Sequence, residues 1–504
     1  MNAMNRGWFG RKGFKSGAAA FFAAAFFVAF SGAAQAAQGD FEEGTRAYAS
    51  GDYDKAFTFT MRAAEDGDAR ARTAVGLMYE LGRGTRRSGR EAVRWYREAA
   101  KQQFPMALFK MGEMYEYGIG VKQSDEEALS WYRRAANENY GDTPYIVGTW
   151  YRAGKGTAKN DSQAARWLER AAKKGNMQAQ KILGEMYLKA EGVIQSDEDA
   201  AKWYLKAAQQ GDAESQYAMG LLYIFGRGVY QDAEDGIKMF EQAAAQGYED
   251  AYYELGIMNL YGEGLWMKKP AMAYEWLKKS AEAGNAKGMY ALGGMYQKGY
   301  EGVVAKNDAE AARWYETAAR KGHAGAAAAL GMMYITGDGV PADTRQAITW
   351  THKAAMQGDV AAQFNLGVLY SKGESGTTDY AKAAEWFRKA AEQGHAIAQY
   401  NLGWLYGNGQ GVPFSANRTF YWFEKAARQG NADAQYSLGM LFEEGWNVEK
   451  DTGKAIEWYR LAAAQDDVKA KERLNALEGR ATSVSGTVDT NTGSASFEQP
   501  DFIK

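Results

Sequence analysis

Chemistry in a protein needs nucleophiles, metal ligands or paired acids and bases, and this 504-residue chain offers few of them. It has 62 carboxylates, three histidines and no cysteine. Zinc sites of the usual kind need thiolates or a helical H-E-x-x-H pair, and neither is present. His323 and His395 each follow a glycine, in "KGH" and "QGH", while His352 lies two residues after Trp350. The first two read as exposed turn residues and the third as solvent-facing. No G-x-S-x-G elbow and no S-x-x-K occurs, which removes the usual serine nucleophiles. The chain has 59 glycines, yet none forms the G-x-x-x-x-G-K-[ST] loop that cradles phosphate. The expectation is therefore no catalytic residue, no cofactor and no metal. A paired acid–base site assembled from distant segments stays open, because sequence does not say which carboxylates meet.

The glycines have another use. Gly76, Gly112, Gly148, Gly184, Gly220, Gly256, Gly293, Gly331, Gly367, Gly403 and Gly439 recur at 36 residues, with one step of 37 and one of 38. Tryptophan follows nineteen residues later at Trp95, Trp131, Trp167, Trp203, Trp350, Trp386, Trp422 and Trp458, and Trp276 and Trp314 hold the same place after short insertions. Around each glycine, a small residue five before and an aromatic three after fall on one helical face. A glycine inside a helix costs about 1 kcal/mol relative to alanine. Its recurrence predicts a thin spot where backbones approach closely, with the tryptophan as the large partner.

Each repeat reads as two helices. Seven residues before the tryptophan position stand Ser88, Ser124, Asn160, Ser196, Asp232, Asn307, Asp343, Asp379, Ser415 and Asp451. All suit a helix N-cap. Ser88 with Glu91, and Ser124 with Glu127, add capping boxes. Glycines such as Gly175, Gly211 and Gly430 close the second helix. A single hairpin cannot bury its apolar face, so stacked hairpins must do so together. The predicted fold is all-α: a right-handed superhelical α/α solenoid of about eleven 36-residue helix-turn-helix repeats.

The pattern A-x-x-x-LG-x-x-Y-x-x-G-x-GV…A-x-x-WY-x-KAA-x-x-G resembles the Sel-1-like repeat family, relatives of the tetratricopeptide repeats. It covers residues about 40–478. The resemblance implies a solenoid that holds other proteins, and bacterial members that are often exported. Some disulfide-rich members are linked to β-lactams, but this chain has no cysteine. The resemblance also implies that first helices line the binding surface. On that analogy Phe364, Tyr400 and Tyr436 (three before the glycine), Asn365 and Asn401 (two before), and Val368, Trp404 and Met440 (one after) face a partner. These eight residues are the candidate site for a protein or peptide, with the amides able to hydrogen-bond an extended backbone. The competing expectations are core or inter-helix packing for the aromatic position, which recurs in most repeats, and cover by the next repeat for the others.

The remaining segments set the boundaries. Residues 1–36 read as a signal peptide: Arg6, Arg11, Lys12 and Lys15, then the apolar "AAAFFAAAFFVAF", then a small-x-small site at Ala34–Ala36. Its removal takes the net charge from −2 to −6, which points to no nucleic-acid partner. No later stretch is long and apolar enough to span a membrane, so an exported, periplasmic or secreted soluble protein is expected. Residues 37–68 read as an N-terminal half-repeat, 69–466 as the repeats, 467–479 as a capping helix and 480–504 as a disordered tail. Arg83, Arg86, Arg87, Arg90, Arg94 and Arg97 form a basic cluster that reads as a solvated face. The functional expectation is a scaffold or adaptor. A hydrolase acting on β-lactams or cell wall, and a secreted factor binding host proteins, are the alternatives.

Overall fold

The computed structural model describes residues 34–264, 267–373 and 378–481. Among them it contains twenty-five helices and no strand, only an isolated bridge between Tyr300 and Val304. The helices pair as hairpins, so odd-numbered helices are the first and even-numbered helices the second of each pair. The first pair is α1 (Ala34–Ala49) and α2 (Tyr53–Glu65), followed by α3 (Ala69–Leu81) and α4 (Gly89–Lys101). The chain forms two compact units, one ending at Gln246 and one beginning at Gly247.

The caps form as expected. Ser88, Asn160, Ser196, Asp343 and Asp451 each accept a backbone N–H from the first turn of the second helix. Lys269, which cannot cap this way, is followed by Pro270 at the first helical position.

The structure corrects the use of the mid-helix glycine. The partner is the residue after the tryptophan, from the same hairpin. A methyl group on Gly76 would stand 2.7 Å from the Tyr96 ring. The same clash arises between Gly403 and Phe423, and between Gly439 and Tyr459. In most repeats that residue is aromatic, with Leu168, Leu277 and Thr351 in its place elsewhere. Its side chain packs on bare backbone, and this seating offsets the helix cost of glycine. Close backbone approach occurs instead at the second glycine of the loop between the two helices. Gly156, with φ +71°, lies against the Asp125 backbone of the preceding repeat, where a side chain has no room.

The tryptophan staples neighbouring repeats. Arg134 stacks on Trp131 at 4.3 Å and donates to the Ala100 carbonyl of the preceding repeat at 3.2 Å. Arg170 does the same with Trp167 and Ala136. A cation on an indole face is held by the ring quadrupole. Exposed glutamines reaching buried ones form a second link: Gln210 donates to Gln180, Gln429 to Gln399 and Gln465 to Gln435, at 2.7–2.8 Å.

At the N-terminus, the segment read as a half-repeat folds as both α1 and α2. Gly44 sits under Thr60, 32 residues before Gly76, and Phe41 and Tyr48 are buried. The shorter spacing hid this glycine from the 36-residue count. α1 begins at Ala34, inside the proposed cleavage motif, while residues 1–33 lie outside the described residues. At the other end α25 (Val468–Ala481) buries Ala470 against Tyr459 and Ala462. The tail from 482 lies outside the described residues.

Candidate protein-binding site

By helical periodicity, residues two before and one after the mid-helix glycine turn away from the second helix of their own hairpin. Charged side chains among them concentrate in the first unit, and the last four repeats carry apolar residues one after the glycine.

In the first unit Lys110, Glu113 and Glu185 at these positions join a ladder of ion pairs, while Leu77, Ile146, Thr149, Ile182 and Leu221 stand at others. The ladder involves α5 (Pro105–Tyr117), α7 (Thr143–Ala153), α9 (Met177–Lys189) and α11 (Ala213–Phe225). Lys110 lies 2.7 Å from Glu113 and 3.7 Å from Glu80. Lys155 pairs with Glu116, Arg152 with Glu185 and Glu191, and Lys181 with Glu214. The Tyr96 hydroxyl donates to Glu80 at 2.6 Å. Burial and the Glu80 charge hold this phenol well above its ordinary range. Burial alone would lower the Lys110 ammonium, but Glu113 and Glu80 outweigh it and leave it raised. This surface carries its own counter-charges. The basic cluster is likewise partly spent: Arg83 bonds and stacks on Tyr48, Arg87 donates to the Glu80 carbonyl, and Arg94 pairs with Glu91.

In the second unit the candidate residues lie on three first helices: α19 (Val360–Lys372), α21 (Ala396–Asn408) and α23 (Ala432–Glu444). Phe364, Tyr400 and Tyr436 pack within their hairpins, on Phe387, Phe423 and Tyr459, with ring centroids 5.2–5.9 Å apart. Val368, Tyr400 and Trp404 share one buried cluster with Phe364 against it, while Tyr436 and Met440 pack on the adjoining one. Asn365 is half-buried. Asn401 is 1% exposed and Trp404 5% exposed. Neither end of the Asn401 amide has a hydrogen-bond partner, nor does Trp404 Nε1. Two donors and one acceptor thus stand unmet one helical turn apart. Trp404 is a covered side chain, unlike the open anchor that its sequence position suggested.

The histidines also differ from their reading as exposed turn residues. His323 and His395 are half-buried N-caps of α17 (Ala324–Thr336) and α21, with Nδ1 accepting from Ala326 and Ala398 at 3.1 and 3.2 Å. His395 stacks on Phe364 at 4.6 Å. Burial lowers the pKa of both imidazoles. The sequence signal was their phase: other repeats place Asp212, Asn285, Asp359 or Asn431 there, all caps. His352 is exposed, edge-on to Trp386. Among the described residues no group of three or more His, Asp or Glu side chains could hold a metal ion, and no helix is long and apolar enough to cross a membrane.

The family profile described as "Sel1 repeat" matches eleven consecutive segments, from 69–104 to 432–467. Two solved structures are similar in both sequence and fold. One is c5321 of uropathogenic Escherichia coli, described as a protective antigen displaying an SLR fold. It is 29% identical over 87% of this chain and 99% of its own, with a TM-score of 0.61. The other is a Sel1 repeat protein from Oxalobacter formigenes, 32% identical over 60% of this chain and 87% of its own, with a TM-score of 0.51. A search of curated proteins finds no match.

Proposed function

Because the chain belongs to the Sel1 repeat family, we propose that it is an exported, non-catalytic adaptor that holds an extended protein segment against the first helices of its second unit. Solenoids of this kind offer repeated surfaces and few reactive groups. The carrying observation is the unmet amide of Asn401 beside the unmet indole N–H of Trp404. A buried polar atom without a partner costs about 1–3 kcal/mol. An extended backbone supplies the missing C=O and N–H groups, and apolar side chains suit the flanking Val368 and Met440. Access to the amide of Asn401, a residue 1% exposed, requires the side chains that cover it to turn aside.

A photo-crosslinking residue at Met440 tests this in intact cells, with one at exposed Lys425 as reference. The adaptor reading expects a crosslinked polypeptide from position 440 that Asn401→Leu abolishes. Because that substitution removes unmet polar atoms, it should also leave the melting temperature unchanged or higher. Equal crosslinking with and without Asn401→Leu overturns the reading.

Export rests on the basic, apolar and small-residue order of residues 1–36. It predicts a mature protein beginning at Ala37. The neighbour described as a protective antigen favours a location open to a host. Recovery of the protein from culture supernatant would favour host binding over envelope assembly. Nitrocefin turnover by the purified chain would overturn the non-catalytic reading.

A further inference from the structure

A second site lies on α20 (Tyr380–Glu392), α21 and α22 (Ala416–Arg428), separate from the docking face proposed above. Arg388 on α20 and Arg418 on α22 both donate to the hydroxyl of Tyr406, at 3.0 and 2.8 Å. The Arg418 guanidinium also lies over the Tyr406 ring at 5.0 Å. The two cationic groups are therefore within about 6 Å of each other, inside the ~8 Å over which salt screens charge.

Among the described residues neither arginine has a carboxylate within salt-bridge distance. The neighbouring cations do: Lys389 pairs with Glu385, Lys382 with Asp379 and Arg428 with Glu424. Tyr406 is buried, and with two donors on its oxygen its own proton has no acceptor among the described residues.

Arg418 stands three residues after the N-cap Ser415. Some repeats place Glu91, Glu127 or Glu310 there, and the flanking repeats place Lys382 and Lys454, each paired with its own N-cap aspartate, a carboxylate that Ser415 does not supply. Acid is favoured there because the helix N-terminus carries partial positive charge. A second cation at that end of the helix is unfavourable unless an anion joins it. Both arginines are exposed residues whose bonds to Tyr406 are part-buried, so an anion can approach them from solvent.

We infer that Arg388, Arg418 and Tyr406 form a receptor for one doubly charged oxyanion, an inorganic phosphate or a phosphate monoester. Two guanidinium forks and a phenol supply N–H and O–H donors to its oxygens. Two positive charges match a group that carries close to two negative charges at pH 7.

Thermal melting of the full chain, titrated with inorganic phosphate at constant ionic strength against chloride and acetate, tests the site. The midpoint should rise with the logarithm of phosphate concentration, and less with the other two anions. Arg388→Gln should weaken phosphate about tenfold, the loss of one charge-assisted bond. Tyr406→Phe should weaken it several-fold. Arg418→Glu is the discriminating variant, since it restores a capping box with Ser415 and removes the cation pair. It should melt higher than the parent without phosphate and ignore added phosphate. Phenyl phosphate separates the sources: binding as tight as inorganic phosphate assigns an esterified phosphate, and exclusion of the ester assigns the free ion. A phosphate response retained in Arg418→Glu, or one equal to that of chloride, overturns the inference.

Discussion

The glycines show how one residue type inside a helix can be required at one position and replaceable at another. At Gly403 an added methyl would stand 2.7 Å from Cδ1 of Phe423 and 3.3 Å from the Thr419 carbonyl. Neither neighbour has room to withdraw, because Phe423 is buried and Thr419 lies on the packed face of α22. At Gly294 the nearest atom is the Tyr315 hydroxyl at 3.7 Å, an ordinary contact. Gly403→Ala should therefore cost about 1–3 kcal/mol through overpacking. Gly294→Ala should gain about 0.5–1 kcal/mol through helix propensity and a stiffer unfolded chain. Urea midpoints followed by helical circular dichroism check both. A stabilising Gly403→Ala would show that the ring does not sit where the repeat requires it.

At the scale of the element, each helix depends on its cap, and two caps titrate. His323 and His395 accept a backbone N–H through Nδ1, which only the neutral imidazole can do. Protonation removes the acceptor and adds positive charge at a helix N-terminus, the unfavourable end. The folded-state pKa of both is lowered, first by burial, with Lys287 adding to the effect at His323. A lowered histidine pKa means that the folded chain binds fewer protons than the unfolded chain. The stability so contributed is complete above the unfolded value of about 6.5 and is lost as pH falls through it toward the folded value. Between pH 7.5 and 5.5 the parent should lose more of its melting midpoint than the double variant His323→Asn, His395→Asn, since asparagine caps at both pH values. Identical slopes would remove the histidines from the acid response.

At the scale of the whole molecule, contacts within each unit run mainly between consecutive helices, and the staples join adjacent repeats. Arg134 reaches Ala100 and Gln429 reaches Gln399. A solenoid built this way is stabilised by nearest-neighbour terms, so damage should stay local. Hydrogen exchange on Gly403→Ala should rise in α20 to α23 and leave α3 to α11 at their parental protection. A uniform rise across both units would mean that the chain unfolds as one cooperative body.

Periodicity along the chain determined the helix pairs, their caps and the family, because a helix start is a local event. Serine, asparagine or aspartate caps its own helix wherever that helix later packs. The partners of those helices were legible only in three dimensions. The tryptophan was assigned to the glycine from its size and recurrence, while the seat belongs to the next residue, because one step along a helix turns a side chain by about 100°. Gly44 escaped the count because its hairpin is shorter, although it meets Thr60 as Gly331 meets Thr351. The candidate site was visible as an unbroken apolar run at one register, Met332, Val368, Trp404 and Met440, where the first unit mixes Leu77, Glu113, Thr149, Glu185 and Leu221. That Trp404 is covered and Asn401 left without partners depends on neighbouring helices that a single repeat does not specify. Arg388 and Arg418 lie thirty residues apart and meet only because Tyr406 stands between them. Local pattern decides where helices begin and which face is apolar, and tertiary packing decides which polar groups on those faces find a partner.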